Sequence, residues 1–204
     1  MTIVDIVASA NEGIVGYNAN YNTARSTAYN FLSFHNPVGQ QLDTNYAVQR
    51  TFLKFDTSVI PALAVISKAN LRMVCKTDDS ATDFDVQIIE QDWSASDPLT
   101  VGNRDAVYDA CLAASTSFLW RNTNGMSINT QYTGADMTNA YINKLGSTYY
   151  SMRSDRDKSN TAPTGNEMIA LYLNTDATVE YRPALIVEYI APTSGFFFGL
   201  KNRR

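Results

Sequence analysis

Polar and apolar residues alternate through residues 50–56 (RTFLKFD), where Leu53 and Phe55 flank Lys54. They alternate again through residues 69–75 (ANLRMVC), where Leu71, Met73 and Cys75 are offset from Arg72. A period of two sends successive side chains to opposite faces of a sheet, so both segments read as half-buried strands, joined by a proline-bearing turn at Ile60-Pro61. Residues 181–189 (YRPALIVEY) close the pattern far downstream. Strand character is also expected at residues 2–8, 13–17, 84–90, 148–153 and 168–173, with a polar loop at residues 18–27. Proline fixes φ and glycine accepts positive φ, so Asn36-Pro37-Val38-Gly39 reads as a turn, as does Asp78-Asp79-Ser80 with its short polar side chains. Two stretches change period to that of one helical face: Val107, Ala110, Cys111 and Ala114 after an N-cap at Asp105, and Met137, Ala140, Tyr141 and Leu145 after Asp136, with Gly146 as a stop. Together these elements predict an all-β sandwich with one or two short helices in connecting loops, and no internal repeat.

Composition agrees. The chain has 204 residues, 45% hydrophobic and 18% charged, with 12 Tyr and 9 Phe. That is enough to bury the core of one large domain, and the aromatic content favours strands. A net charge of -4 argues against nucleic acid as a partner, because phosphate binding relies on clustered Lys and Arg. Only residues 201–204 (KNRR) are basic. No stretch is long and apolar enough to cross a bilayer, so no membrane is expected. No basic segment leads into an apolar run at the N-terminus, and the expectation is synthesis in the cytoplasm without a signal peptide.

The residues offer little catalytic chemistry. His35 is the single histidine and no G-x-S-x-G motif accompanies it. One His and two distant Cys do not make a zinc site, and Cys75, in phase with Leu71 and Met73, reads as a buried free thiol. A glycosidase needs only two carboxylates, and no pair stands out. Calcium is weighed at Asp78, Asp79, Asp83 and Asp85, and at Asp155 and Asp157. The EF-hand order is missing and Arg156 and Lys158 offset the charge, so a solvated loop is expected and no metal or cofactor is assigned. For a glycan, an exposed ring beside planar polar groups supplies stacking and directional hydrogen bonds. Residues 17–25 (YNANYNTAR) mix these types, which makes Tyr17, Tyr21 and Arg25 the glycan-binding candidates. Trp93 reads as core.

The C-terminus differs in kind. After residues 191–195 (APTSG), a hinge by composition, come three consecutive phenylalanines and a basic tail. Residues 1–190 are therefore taken as the sandwich domain and residues 191–204 as an arm. Phe196, Phe197, Phe198, Leu200, Arg203 and Arg204 are the expected assembly contacts, since large aromatic anchors dominate interfaces. The arm either folds back onto its own domain or docks on a neighbour.

The order Arg50-x-x-Leu53-Lys54-Phe55-Asp56, Ile60-Pro61, Ala69-x-Leu71-Arg72, Trp93 after a strand, Asp136-Met137-Thr138, Ser154-x-Arg156-Asp157 and Arg182-Pro183-Ala184-Leu185-Ile186-Val187-Glu188-Tyr189 resembles the DNRLRE or disaggregatase-related modules. The resemblance covers about residues 1 to 190 and rests mostly on packing motifs. It implies a jelly-roll sandwich similar to carbohydrate-binding modules, a fold found in secreted polysaccharide-degrading enzymes, cell-surface proteins and tailed-phage structural proteins. The chain departs from the secreted members: Trp93 leads into Asp97-Pro98-Leu99-Thr100 and a helical insertion, without their Thr-Trp pair and tight Asn-Pro turn. The resulting expectation is a non-enzymatic virion protein of a tailed phage, a capsid decoration or accessory protein. Its partners would be a major capsid or tail protein and other copies of itself. The alternative is a glycan-binding module for host or environmental polysaccharide, and an enzyme is the third reading.

Overall fold

A computed structural model describes residues 1–32, 35–137 and 140–192. The fold is all-β, a sandwich of jelly-roll type, with eleven antiparallel strands among the described residues. In chain order these are β1 (Thr2–Asn18), β2 (Asn30–Leu32), β3 (Asn36–Leu42), β4 (Tyr46–Asp56), β5 (Val65–Ser80), β6 (Asp85–Glu90), β7 (Ser117–Asn122), β8 (Gln131–Thr133), β9 (Ser147–Ser154), β10 (Asn166–Leu171) and β11 (Ala184–Ile190). Among the described residues three α-helices interrupt them, α1 (Tyr21–Ser26), α2 (Arg104–Ala113) and α3 (Asp155–Lys158), besides short 3-10 turns at Ser94–Ser96 and Val179–Tyr181. None is long and apolar enough to cross a membrane.

The hydrogen-bonded order is β2-β1-β11-β5-β10-β3-β4-β9-β6-β7, with β8 on β5, and a further β1–β4 pairing closes part of the array into a ring. Two long strands turn the corners. β1 pairs with β11 through Thr2 to Val7 and with β4 from Ala8 onward, the register slipping at Ser9. β5 pairs with β11 through Val65 to Arg72 and with β10 from Cys75 onward. A bulge or partner change bends a strand and raises its local twist, which lets one strand serve both layers.

The main core lies between the layers. Leu53 and Phe55 of β4, Leu71, Met73 and Cys75 of β5, and Leu185, Val187 and Tyr189 of β11 all enter it, as their alternation requires. A second cluster, built on Phe52, Ile89, Trp93, Val107, Tyr108 and Cys111, packs α2 onto the other face of the β4 region. β4 is therefore covered on both faces, which is why its burial is nearly continuous. Both cysteines are buried free thiols, and Trp93 is core.

Several expectations change. The predicted helix after Asp136 does not form among the described residues: Met137 N–H donates to the Ala69 carbonyl (2.8 Å) and the Asp136 carboxylate accepts from Ala69 N–H (3.2 Å), so β5 holds this backbone. The helix near Val107 does form, but begins at Arg104. The Asp105 carboxylate, read as an N-cap, instead accepts from Ala28 N–H. The polar loop at residues 18–27 contains α1, whose N-cap Asn20 accepts from Thr23 N–H (3.2 Å). Neither predicted turn is a turn: Asn36 to Gly39 lie within β3, and Asp78 to Ser80 end β5. Phe196, Phe197, Phe198, Leu200, Arg203 and Arg204 lie outside the described residues.

Candidate functional site

The groups richest in chemistry meet beneath α1. β4 carries Arg50 inward and Ser154 caps α3 by accepting from Asp157 N–H (3.0 Å), which aims the Asp157 carboxylate at that guanidinium. Arg50 Nε and Nη2 donate to the two carboxylate oxygens at 2.8 and 3.0 Å, with both side chains at most 1% exposed. The remaining reach of Arg50 is used on backbone: Nη1 donates to the Tyr108 carbonyl (2.7 Å) and Nη2 to that of Arg25 (2.9 Å). The Tyr108 ring lies 3.9 Å from the guanidinium carbon, a cation–π contact in a dry site. Burial opposes the Arg50 charge, but Tyr108 and Asp157 outweigh it and raise its pKa.

Arg25 and Tyr21 belong to this buried assembly, which corrects their reading as a glycan platform. Arg25 Nε donates to Asp157 Oδ1 (3.1 Å) and Nη1 to Asn160 Oδ1 (2.7 Å), leaving the side chain 11% exposed. Tyr21 is 8% exposed and its hydroxyl donates to Gln40 Oε1 (2.6 Å), while Gln40 Nε2 donates to Glu167 Oε2 (2.9 Å). Glu167 in turn takes a two-pronged contact from Arg156. Only Tyr17 of the three is open, 42% exposed beside the Tyr29 ring at 5.7 Å. Five of the six calcium candidates are engaged by protein donors: Asp157 as above, Asp155 by Asp85 N–H (3.0 Å), Asp85 by Asn122, Asp83 by Asn124 and Asp78 by Ser80. No group of three or more His, Cys, Asp or Glu converges as a metal site among the described residues.

A second arginine serves α2. The helix has no basic residue in its last turn, and Arg153 of β9 supplies one from outside, donating from Nη1 to the Leu112 carbonyl (2.8 Å) and from Nη2 to that of Ala114 (3.0 Å). These are the carbonyls a helix end leaves orphaned. Arg153→Leu is expected to lower stability by roughly 1–3 kcal/mol through unsatisfied buried acceptors, measured as a drop in urea midpoint. An unchanged midpoint would count against the capping role.

Burial also sets a pH response. Cys75 is pushed up to about 11 by burial and by Asp78 and Asp79, and burial raises Tyr21, Tyr108 and Tyr150 above their ordinary 10.0. The unfolded chain releases these protons first, so it binds fewer of them in alkali than the folded chain does. Stability is full below the ordinary Cys value of 9.0 and falls as pH rises through the folded values. A denaturation midpoint that stays flat from about pH 8 to about pH 11 would contradict this.

One surface cleft, of about 260 Å³, combines rings with carboxylates. Its walls are Glu90, Asp92, Tyr141, Asn143, Ser147 and Tyr149, brought together because β6 pairs with β9 and the segment before β9 crosses their ends. Tyr141 is exposed, and its backbone N–H donates to Glu90 Oε1. Tyr149 is fixed by its hydroxyl, which donates to Asp97 Oδ2 (3.0 Å), and by the Trp93 ring at 4.7 Å. Acceptor-rich walls flanked by aromatic faces suit a ligand with many hydroxyl donors.

No family model matches the chain, and no curated protein does. A solved structure described as "Cryo-EM structure of Mud crab tombus-like virus at 3.3 Angstroms resolution" is similar over 94% of this chain and 82% of that chain, at 15% identity and a TM-score of 0.27. A likeness that low carries no argument.

The cleft went unread in the sequence. Glu90 and Asp92, at and just beyond the end of β6, meet Tyr141 from a segment 51 residues away from Glu90; the meeting depends on strand register, and no local spacing announces it. Tyr150, next to Tyr149 in sequence, points the other way into the core.

Proposed function

We propose that the chain is a non-enzymatic structural protein of a virus particle, an accessory or capsid-decoration protein of a tailed phage that acts by protein–protein contact. One observation carries the reading. At one end of the sandwich Met1, Ile3, Leu63, Val65 and Ile190 are each more than half exposed, and the chain leaves toward residues 193–204 from that end. Apolar clusters of this kind on a folded domain mark contact surfaces. The buried arginines and carboxylates support it as well, since they are committed to one another. The resemblance to modules found in tailed-phage structural proteins points the same way. In the particle, Phe196, Phe197, Phe198, Leu200, Arg203 and Arg204 are the anchor on a major capsid or tail protein or on another copy. Mass spectrometry of purified particles tests this: the full chain is expected in them, and a version with all three phenylalanines replaced by serine is expected to be depleted at least tenfold. Absence of the full chain from particles overturns the virion reading, and undiminished incorporation of the variant overturns the anchor.

The cleft favours a second reading, a glycan-binding module. Tyr141→Ala is then expected to abolish binding on a polysaccharide array with no loss of thermal stability. A wild-type chain that binds no glycan would dispose of that reading.

A further inference from the structure

β1 changes partners along its length, and the change leaves part of one edge open. Thr2 to Val7 pair with β11, and Ala8 onward pairs with β4. The Ala8 N–H donates to the Pro183 carbonyl at 2.8 Å, which fixes the phase of the first ladder: Thr2, Val4 and Ile6 also direct their backbone groups to β11. The N–H and C=O of Ile3 and Asp5 therefore point the other way, where no strand pairs with residues 2–6 among the described residues. Proteins ordinarily guard such an edge with Lys, Pro or a bulge. Residues 2–6 (TIVDI) carry none of these and are rich in β-branched side chains. Their one charge, Asp5, is held by Arg72 Nη1 at 2.6 Å. Beneath the edge the core is unfinished, since Val4 packs against the main cluster yet is only partly buried.

We propose that a second copy of this chain adds its own residues 2–6 to this edge, antiparallel, about a twofold axis through Val4. Open N–H and C=O groups at alternate residues are matched by an extended strand, as in other strand additions. The ends of the opening select the register. It runs from the start of β1 to Ala8, where β4 takes over, and Val4 is the midpoint of residues 2–6, so this axis matches the whole open stretch of one copy to that of the other. Ile3 then faces the partner's Asp5 and Asp5 the partner's Ile3, so each open donor meets an open acceptor. An axis through Asp5 would instead set two carboxylates face to face, which is destabilising. The chosen axis also brings Val4 against the partner's Val4 in the closer, non-hydrogen-bonded kind of pair, which covers the core there. The contact is isologous and closes at two copies. It depends neither on the chain being a virion component nor on residues 193–204.

Sedimentation and residue-resolved hydrogen exchange of the full chain test it. A contact this short, well under about 1,200 Å², is weak, so dimers are expected at about 1 mM and monomers at about 10 μM. The amides of Ile3 and Asp5 should exchange at least tenfold more slowly at the higher concentration, while those of Val4 and Ile6, which face β11, stay protected at both. Ile3→Pro deletes an outward N–H without touching the β11 ladder, so it should melt within a few degrees of wild type and no longer dimerise. Val4→Cys, on the axis, should oxidise to a covalent dimer, since the paired Cα atoms lie about 4.5 Å apart and the native thiols Cys75 and Cys111 are buried. A wild-type chain that stays monomeric at the higher concentration would overturn the proposal. So would Ile3 and Asp5 amides indifferent to concentration, which would mean an edge left open or paired within its own chain. A folded Ile3→Pro variant that still dimerises would place the interface elsewhere. The first two readouts need no variant, so they decide the matter even if Ile3→Pro does not fold.

Discussion

Asp157→Ala is expected to destabilise the protein by about 3–5 kcal/mol, enough to unfold a domain of ordinary stability near body temperature. The cost comes from what is left behind. Arg50 is fully buried and cannot shed its proton, so without the carboxylate it becomes an uncompensated charge in a dry site. Arg25, which donates to Asp157 Oδ1 alone of the two carboxylate oxygens, has some access to water and is hurt less. A double-mutant cycle separates the pair from its parts. Arg50→Met together with Asp157→Leu should recover most of the loss, because replacing both charges by apolar groups of similar size removes the desolvation penalty along with the attraction. A single Asp157→Ala variant within about 1 kcal/mol of wild type would show that the pair is not a keystone of the fold.

Gly39→Ala is expected to cost about 3 kcal/mol or more, measured by chemical denaturation. Gly39 has φ +130°, a conformation that L side chains rarely adopt, and a Cβ built there would lie 2.2 Å from the Glu167 carbonyl oxygen and 2.7 Å from the Met168 Cα. Both contacts are backbone of the neighbouring β10, which cannot move without breaking the β3–β10 ladder. The same displacement would disturb Glu167, which receives Gln40 and Arg156, so the loss should spread to the buried network. Gly125, also at positive φ but with nothing near its hypothetical Cβ, serves as the control: Gly125→Ala should lose only the backbone term of about 1 kcal/mol. Similar losses at the two sites would refute the close-packing explanation.

Gly39 also shows where sequence pattern misleads. Pro37 and Gly39 carry a turn signature, yet both sit inside β3, because β4 pairs with β3 only from Gly39 onward and a proline at 37 forfeits no bond to it. The glycine is needed for close approach to β10, not for chain reversal. Likewise the helical spacing of Met137, Ala140, Tyr141 and Leu145 is real, but the start of β5 captures that backbone first. Tyr21 and Arg25 look like surface chemistry when read as YNANYNTAR. They are drawn inward because partners 19 and 132 residues away, Gln40 and Asp157, converge on them. A polar run in sequence carries no mark of such a partner.

Alternation is a local property, and it determined the all-β class, the main strands β4, β5, β9, β10 and β11, the core placement of Leu71, Met73, Cys75 and Trp93, and the existence of a helix near Val107. Those features depend on neighbours two to four positions apart along the chain. Only the tertiary structure decided the pairing of Arg50 with Asp157 across 107 residues, the use of Arg153 as a cap for α2, the assembly of the Glu90–Tyr141–Tyr149 cleft, and the gathering of Met1, Ile3, Val65 and Ile190 at one end. Each of these rests on strand register, and a slip of one residue would turn every side chain of the strand to the other face. Register is set by the packing of the whole sandwich, so the residues that carry its contacts acquire their roles only when the layers close.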